Sequence, residues 1–105
     1  MNTTAAKFGP GDLITHALFD YRGVVIDIDP HFLGTTEWYD AVAKSKPPKD
    51  RPWYHVLVDG SFIQTYVAER NLEHDPSGKP IDHPEISIYF SGLNDGGYVP
   101  RQKSN

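Results

Sequence analysis

Along most of this chain apolar positions come in short runs, broken every few residues by Gly, Pro, Asn or Asp. That punctuation predicts short strands joined by tight turns. The first run, Asp12 to His16, follows a Gly-Pro-Gly sequence, and ALFDYRG then turns the chain. The clearest strand is GVVIDIDP, where β-branched residues dominate from Val24 to Ile28 and Pro30 closes the run. Strict alternation puts Val24, Ile26 and Ile28 on one face, with Val25, Asp27 and Asp29 on the other. The second face changes from apolar to acidic, so the strand is expected to leave the core at Asp27. PWYHVLVDGSFIQTYV reads as a hairpin turning at Asp59-Gly60-Ser61. In its first arm Tyr54, Val56 and Val58 oppose Trp53, His55 and Leu57; in its second, Ile63, Thr65 and Val67 oppose Phe62, Gln64 and Tyr66. AERNL adds a short final strand that returns Leu72 to the core, and EHDPSGKPIDHPE reads as a loop.

Twice the period lengthens to that of a helix. A short helix is expected over Glu37–Ala43, capped by Thr35 or Thr36, with an apolar stripe of Trp38, Ala41 and Val42 and a stop at Pro47-Pro48. A second is expected over Glu85–Ser91. There Pro84 suits the first turn, and Ile86, Tyr89, Phe90 and Leu93 recur at helical spacing; NDGG ends it and YVP adds an edge segment. About five short strands between Asp12 and Leu72 then make a mainly β fold, a small SH3-like barrel with one or two short helices. Gly23 gives the barrel room for a bend or a close neighbour. Ile26, Val56, Val58, Ile63 and Val67 are the expected core, with at least one of Trp53 and Tyr54.

Composition narrows the chemistry. The 105 residues suffice for one domain, expected over residues 8–100 between flexible tails at 1–7 and 101–105. The absence of Cys excludes disulfides, thiolate metal sites and a Cys nucleophile. No apolar run approaches the roughly 18 residues of a membrane span, and the N-terminus lacks a signal-peptide core. The expectation is a soluble, cytoplasmic protein. A net charge of −4 opposes a dominant nucleic-acid surface. Against that, Lys44, Lys46, Lys49 and Arg51 cluster in KSKPPKDR, with only Asp50 opposing them. The segment is either a solvated, proline-stiffened linker or, with the neighbouring rings of Trp53 and His55, a contact surface for DNA or a protein partner.

Catalytic patterns are sparse. There is no nucleophile elbow and no phosphate-cradling glycine loop. The five His, at positions 16, 31, 55, 74 and 83, show no zinc-ligand spacing. His74-Asp75 and Asp82-His83 flank one loop and offer an ion site, although solvated histidines, or His83 capping the helix, account for them as well. Asp27 and Asp29 share a strand face, an arrangement suited to acid–base work or to Mg²⁺. They fit equally the strand's exit into solvent, with Arg22 or Arg70 available to neutralise them. No catalytic, cofactor or metal site is assigned.

KFGPGDLITHALFDYRGVVIDIDP, PWYHVLVDG and TYVAERNL together resemble the YccV-like (HspQ) hemimethylated-DNA-binding family. The resemblance implies an SH3-like barrel without catalysis, a heat-shock role, and binding of hemimethylated DNA near replication origins. It also implies partnership with an ATP-dependent, Lon-type protease as a specificity factor in turnover of the replication initiator and of damaged proteins. DHPEISIYFSGLNDGGYVPR is similar to the form of this domain appended to some eukaryotic F-box proteins of the ubiquitin-ligase machinery. The alternatives are a peptide- or protein-binding adaptor without DNA binding and, more remotely, a hydrolase using Asp27 and Asp29. No membrane is involved on any reading, and self-association is open. A continuous positive stripe would favour DNA; an apolar aromatic groove would favour a peptide or protein partner.

Overall fold

A computed structural model describes residues 5–101. Its elements are β1 (Leu13–His16), β2 (Arg22–Asp29), α1 (Thr36–Val42), β3 (Trp53–Val58), β4 (Gln64–Ala68), a 3-10 turn (Glu69–Asn71), β5 (Leu72–His74), α2 (Ile86–Tyr89), β6 (Phe90–Asn94) and β7 (Gly97–Pro100). Five strands form one antiparallel sheet in the order β4-β3-β2-β1-β5, and β6 and β7 form a separate hairpin. The expected tails fall largely outside the described residues. No described helix is long and apolar enough to cross a membrane.

The sheet is curled. Ile14, Val25, Tyr54, Val56, Val67 and Leu72 meet in one cluster, so all five strands contribute to a single core. In a flat sheet, at about 4.8 Å per strand, the outer strands would lie too far apart for that. The 3-10 turn carries the chain from β4 across to β5, which then pairs with β1. This is the mainly β, SH3-like path expected. No ladder joins β4 to β5 among the described residues, so the barrel stays open there.

β2 departs from simple alternation. Val25 pairs with Val56 and Asp27 with His55, leaving Ile26 as the extra residue of a β-bulge. Val24 and Val25 are both buried, on opposite faces. Ile26 follows Val24 to the outer face, whereas Ile28 moves to the inner face with Val25. The grouping of Val24, Ile26 and Ile28 is corrected accordingly, while Asp27 and Asp29 still share a face.

The outer face is covered as well. Ile81 and Phe90 pack on Leu13, Val24 and Leu57, with Ile86, Tyr89 and Tyr98 around them. The second helix is therefore shorter than expected: α2 is a single turn, and Phe90 opens a strand instead of continuing the helix. Ser91 and Gly92 are poor helix formers, and Asn94 to Gly97 supply a turn that brings β7 back along β6. The hairpin is fastened to the sheet where two glycine backbones meet. Tyr98 N–H donates to Gly11 C=O at 2.8 Å, and Asp12 bridges Gly97. A Cβ at Gly11 would lie 2.1 Å from the Tyr98 carbonyl oxygen, and Gly11 has φ +97°, so no other residue fits there.

Ile63 is a further correction. It is 49% exposed because β4 starts only at Gln64, leaving Ile63 in the turn, where its carbonyl accepts from Val58 N–H. Ile26 is only half-buried. The expected stripe of α1 also shifts: Tyr39 is its buried residue, whereas Ala41 and Val42 are exposed. Thr35 is the cap, its hydroxyl accepting from Trp38 N–H at 3.0 Å.

Buried polar groups tie the loops down. Tyr54 donates to Glu69, and the same carboxylate accepts from Lys7 N–H at 2.8 Å. Arg22 donates to Asp75 at 2.7 Å, to Asp59 at 3.2 Å and to Lys79 C=O at 2.7 Å, clamping the loop after β5 to the sheet. Burial alone would raise the Asp75 carboxyl. The Ser77 N–H and hydroxyl and the Arg22 guanidinium outweigh burial and hold it below its ordinary 3.8.

Two outcomes follow. Val56 is fully buried in the shared core, so Val56→Ala should lower stability by about 1–3 kcal/mol in denaturant titrations. Asp75 has a lowered pKa in the fold, so its contribution is complete above pH 3.8 and is lost as pH falls through the lower folded value. Acid unfolding followed by Trp fluorescence should therefore be shallower below about pH 4 in Asp75→Asn than in wild type.

Candidate binding cleft and basic segment

The outer face of β3 presents Trp53, His55 and Leu57 in turn. Leu57 lies under the C-terminal segment, and Trp53 lies under α1 with Tyr39 and Ala68. His55 falls between these two coverings and stays half-buried. Around Trp53 stands a cluster of rings. Phe32 contacts Trp38, Tyr39, Trp53 and Tyr66 at centroid distances of 5.9, 5.4, 4.9 and 5.9 Å. Tyr66 packs on His55 at 4.7 Å.

This cluster fixes the basic segment. Tyr39 hydroxyl donates to Pro47 C=O at 2.7 Å, and Trp53 Nε1–H donates to Pro48 C=O at 3.1 Å. Pro47 and Pro52 are buried. Lys49 Nζ sits 4.2 Å from the Tyr39 ring centroid and Lys46 Nζ 5.1 Å, so both cations contact one aromatic ring. Lys46 also pairs with Asp40 at 3.2 Å. Lys44, Lys46, Lys49 and Arg51 are all exposed. The segment is thus a held surface and not a free linker.

Beside it a cleft of about 460 Å³ runs along β4, between that strand, the end of α1 and the β1–β2 connection. Lys44, Trp53 and His55, all candidate contacts, line it. Trp53 contributes only its buried floor, being 1% exposed with its N–H engaged. Lys46, Lys49 and Arg51 lie outside the lining. The opposite wall was not anticipated: it comes from His16, at the end of the first expected strand, and from Phe19 and Tyr21 in the stretch that reads as a turn.

His16 organises that wall. Its Nδ1 accepts from Leu18 N–H and Phe19 N–H, both at 3.1 Å, so the ring proton resides on Nε2. Phe19 stacks on the imidazole at 4.7 Å, and Tyr21 hydroxyl meets Thr65 Oγ1 at 2.7 Å across to β4. Burial lowers the His16 pKa and favours the neutral ring. Leu18 and Phe19 are left 57% and 68% exposed at the mouth.

The acidic pair lies nearby with other duties. Asp29 accepts from Tyr66 hydroxyl at 2.6 Å and meets His55 Nε2 at 3.2 Å. Burial, then this bond to Asp29, pushes the Tyr66 phenol above its ordinary value, so it remains a donor. Asp27 is exposed and accepts from Ile28 N–H. Ligand atoms of Asp27, Asp29 and His55 lie within 4.8 Å of one another, a spacing that a cation could bridge. Among the described groups it is Tyr66 and His55 that pair with Asp29; Arg22 is committed to Asp75 and Asp59, and Arg70 donates to Ser45 C=O. In the loop after β5, His74 is exposed, whereas His83 is buried, accepting Glu85 N–H on Nδ1 and bonding Ile63 C=O through Nε2. His83 thus ties Glu85, the residue before α2, to the turn at Ile63, and α2 itself has no side-chain cap.

Fold and site together define a small open β-barrel with an aromatic cleft beside an exposed basic segment. The chain belongs to the YccV-like family, described as hemimethylated DNA-binding protein YccV like, whose model matches residues 6–97.

The His16 arrangement has a measurable consequence. A lowered pKa means that His16 favours the fold fully above its ordinary 6.5 and loses that contribution as pH falls from 6.5 through the folded value. Nitrogen-15 NMR should show a neutral ring with the proton on Nε2 at pH 7.5, and His16→Ala should remove this part of the pH dependence of stability.

Proposed function

We propose that this protein is a non-catalytic DNA-binding module that engages hemimethylated DNA through the segment Lys44–Arg51. The observation that carries the reading is the anchoring of that segment's backbone at Pro47 and Pro48 on Tyr39 and Trp53, in a run that exposes four cations. A pre-ordered segment loses little conformational entropy on contacting phosphates. The family's description supplies the ligand class. The net charge of −4 limits the affinity, since the rest of the surface repels a polyanion. Asp29 supports a non-catalytic reading, being tied to Tyr66 and His55.

A second reading, delivery of the replication initiator or damaged proteins to an ATP-dependent protease, is favoured by a different observation. Leu18, Phe19 and Val42 expose apolar surface around an aromatic cleft, the kind of patch that marks a protein contact.

Binding to hemimethylated, fully methylated and unmethylated duplexes, measured across a salt series, tests the first reading. Four phosphate contacts give a slope of log K against log salt near roughly −3.6. Lys46→Glu with Lys49→Glu should abolish binding. Affinity that survives both the double change and raised salt would sink the electrostatic account, and no binding to any duplex at low salt would sink DNA as the ligand.

A further inference from the structure

Among the described residues β4 is an edge strand with no strand paired on the side away from β3. Antiparallel ladders alternate between residues that bond the neighbour and residues that point away from it. Here Val58 N–H donates to Ile63 C=O, and Glu69 N–H to Pro52 C=O, at 3.2 and 3.1 Å. With the register Val56–Thr65 and Tyr54–Val67, the residues bonded to β3 are 63, 65, 67 and 69. The N–H and C=O groups of Gln64, Tyr66 and Ala68 therefore point away from β3. Among the described residues no strand and no backbone group pairs with them.

The cleft lies on this same edge. Gln64, Thr65, Tyr66, Val67 and Ala68 all line it. Successive residues of a strand face opposite sides, so five in a row border one space only when that space wraps the strand's edge. It offers a ring-walled half on each face of the sheet, Trp38 and Tyr66 on the outer side and Phe19 and Tyr21 on the inner. Lys44 is the only Lys or Arg in the lining, and no carboxylate lines it, although the chain carries 14 Asp and Glu. His16, 6% exposed and with Nδ1 consumed by the backbone, keeps its Nε2–H as a fixed donor on the lining.

We propose that the edge of β4 accepts an extended peptide segment of a partner protein as a sixth strand, with apolar side chains entering the two halves alternately and an acidic side chain reaching Lys44. An extended chain supplies what this edge lacks, N–H and C=O groups at alternate residues, and its side chains alternate with the same period as the two halves of the cleft. The cleft's charge selects for an acidic segment over a basic one. The occupied site would cover Leu18, Phe19 and Val42. This inference does not depend on DNA binding, because Lys46, Lys49 and Arg51 lie outside the cleft lining.

The test uses a panel of short synthetic peptides with alternating apolar residues and one Asp, read by fluorescence anisotropy and by amide exchange of the full chain. Binding should protect the amides of Gln64, Tyr66 and Ala68 and leave those of Thr65 and Val67, already bonded, unchanged. N-methylation of the alternate peptide amides that face β4 should weaken binding by about tenfold or more, while methylation of the other set should not. Lys44→Glu should reverse the preference between Asp- and Lys-bearing peptides. Gln64→Pro removes one outward N–H at an exposed edge position and should cut affinity with Tm near wild type. Absence of binding across the panel, or binding indifferent to the methylation pattern, overturns the proposal. So does protection of the same amides by a DNA duplex that displaces the peptide, or by concentration-dependent self-association without peptide.

Discussion

Every residue from Pro52 to Val58 except His55 is buried, and along a strand these side chains point alternately to opposite sides. β3 therefore needs two coverings. The inner one is made by curling the sheet until β1, β4 and β5 reach the same apolar cluster as β2 and β3. The outer one comes from two unrelated pieces of chain, the ring cluster of α1 and Phe32 over Trp53 and the C-terminal segment over Leu57. The two pieces do not meet over His55, which pairs there with Asp29 and Tyr66. The opening run of three rings, Trp53-Tyr54-His55, is thus a central strand first, and only His55 remains partly open to a ligand.

Much of this could be read from residue order. The Asp59-Gly60 turn, the short strands, the first helix with its Thr35 cap and the mainly β class all follow from local chemistry, while the family entered only through the resemblance of the quoted segments. The failures have physical causes. A bulge at Ile26 costs one residue and reverses the alternation after it, and no residue type announces it. Ile86, Tyr89, Phe90 and Leu93 match a helix by spacing, but Phe90 is placed by what it covers, the outer face of β1, β2 and β3, so tertiary packing decides against the local period. The far wall of the cleft was unreadable for a related reason. His16, Phe19 and Tyr21 lie at least 43 residues from β4 in sequence, and only the curl brings them beside it.

The basic segment shows the same dependence from another side. As composition, KSKPPKDR is a charged run with two prolines. In the fold its carbonyls at Pro47 and Pro48 are the acceptors that satisfy the polar edges of Tyr39 and Trp53. Ring burial and cation presentation are therefore one structural event: the aromatic core is completed by the backbone that displays the lysines. Loosening the rings would release the charges as well.

The contact between Gly11 and Tyr98 has a consequence for how the last hairpin can be lost. Asp12 bridges Gly97, so the point where the chain enters the sheet and the turn of the last hairpin are in contact. The same hairpin lays Phe90 and Tyr98 over Leu13, Val24 and Leu57. Detaching it would uncover the outer face of three strands at once, so the hairpin unfolds together with the sheet and not ahead of it.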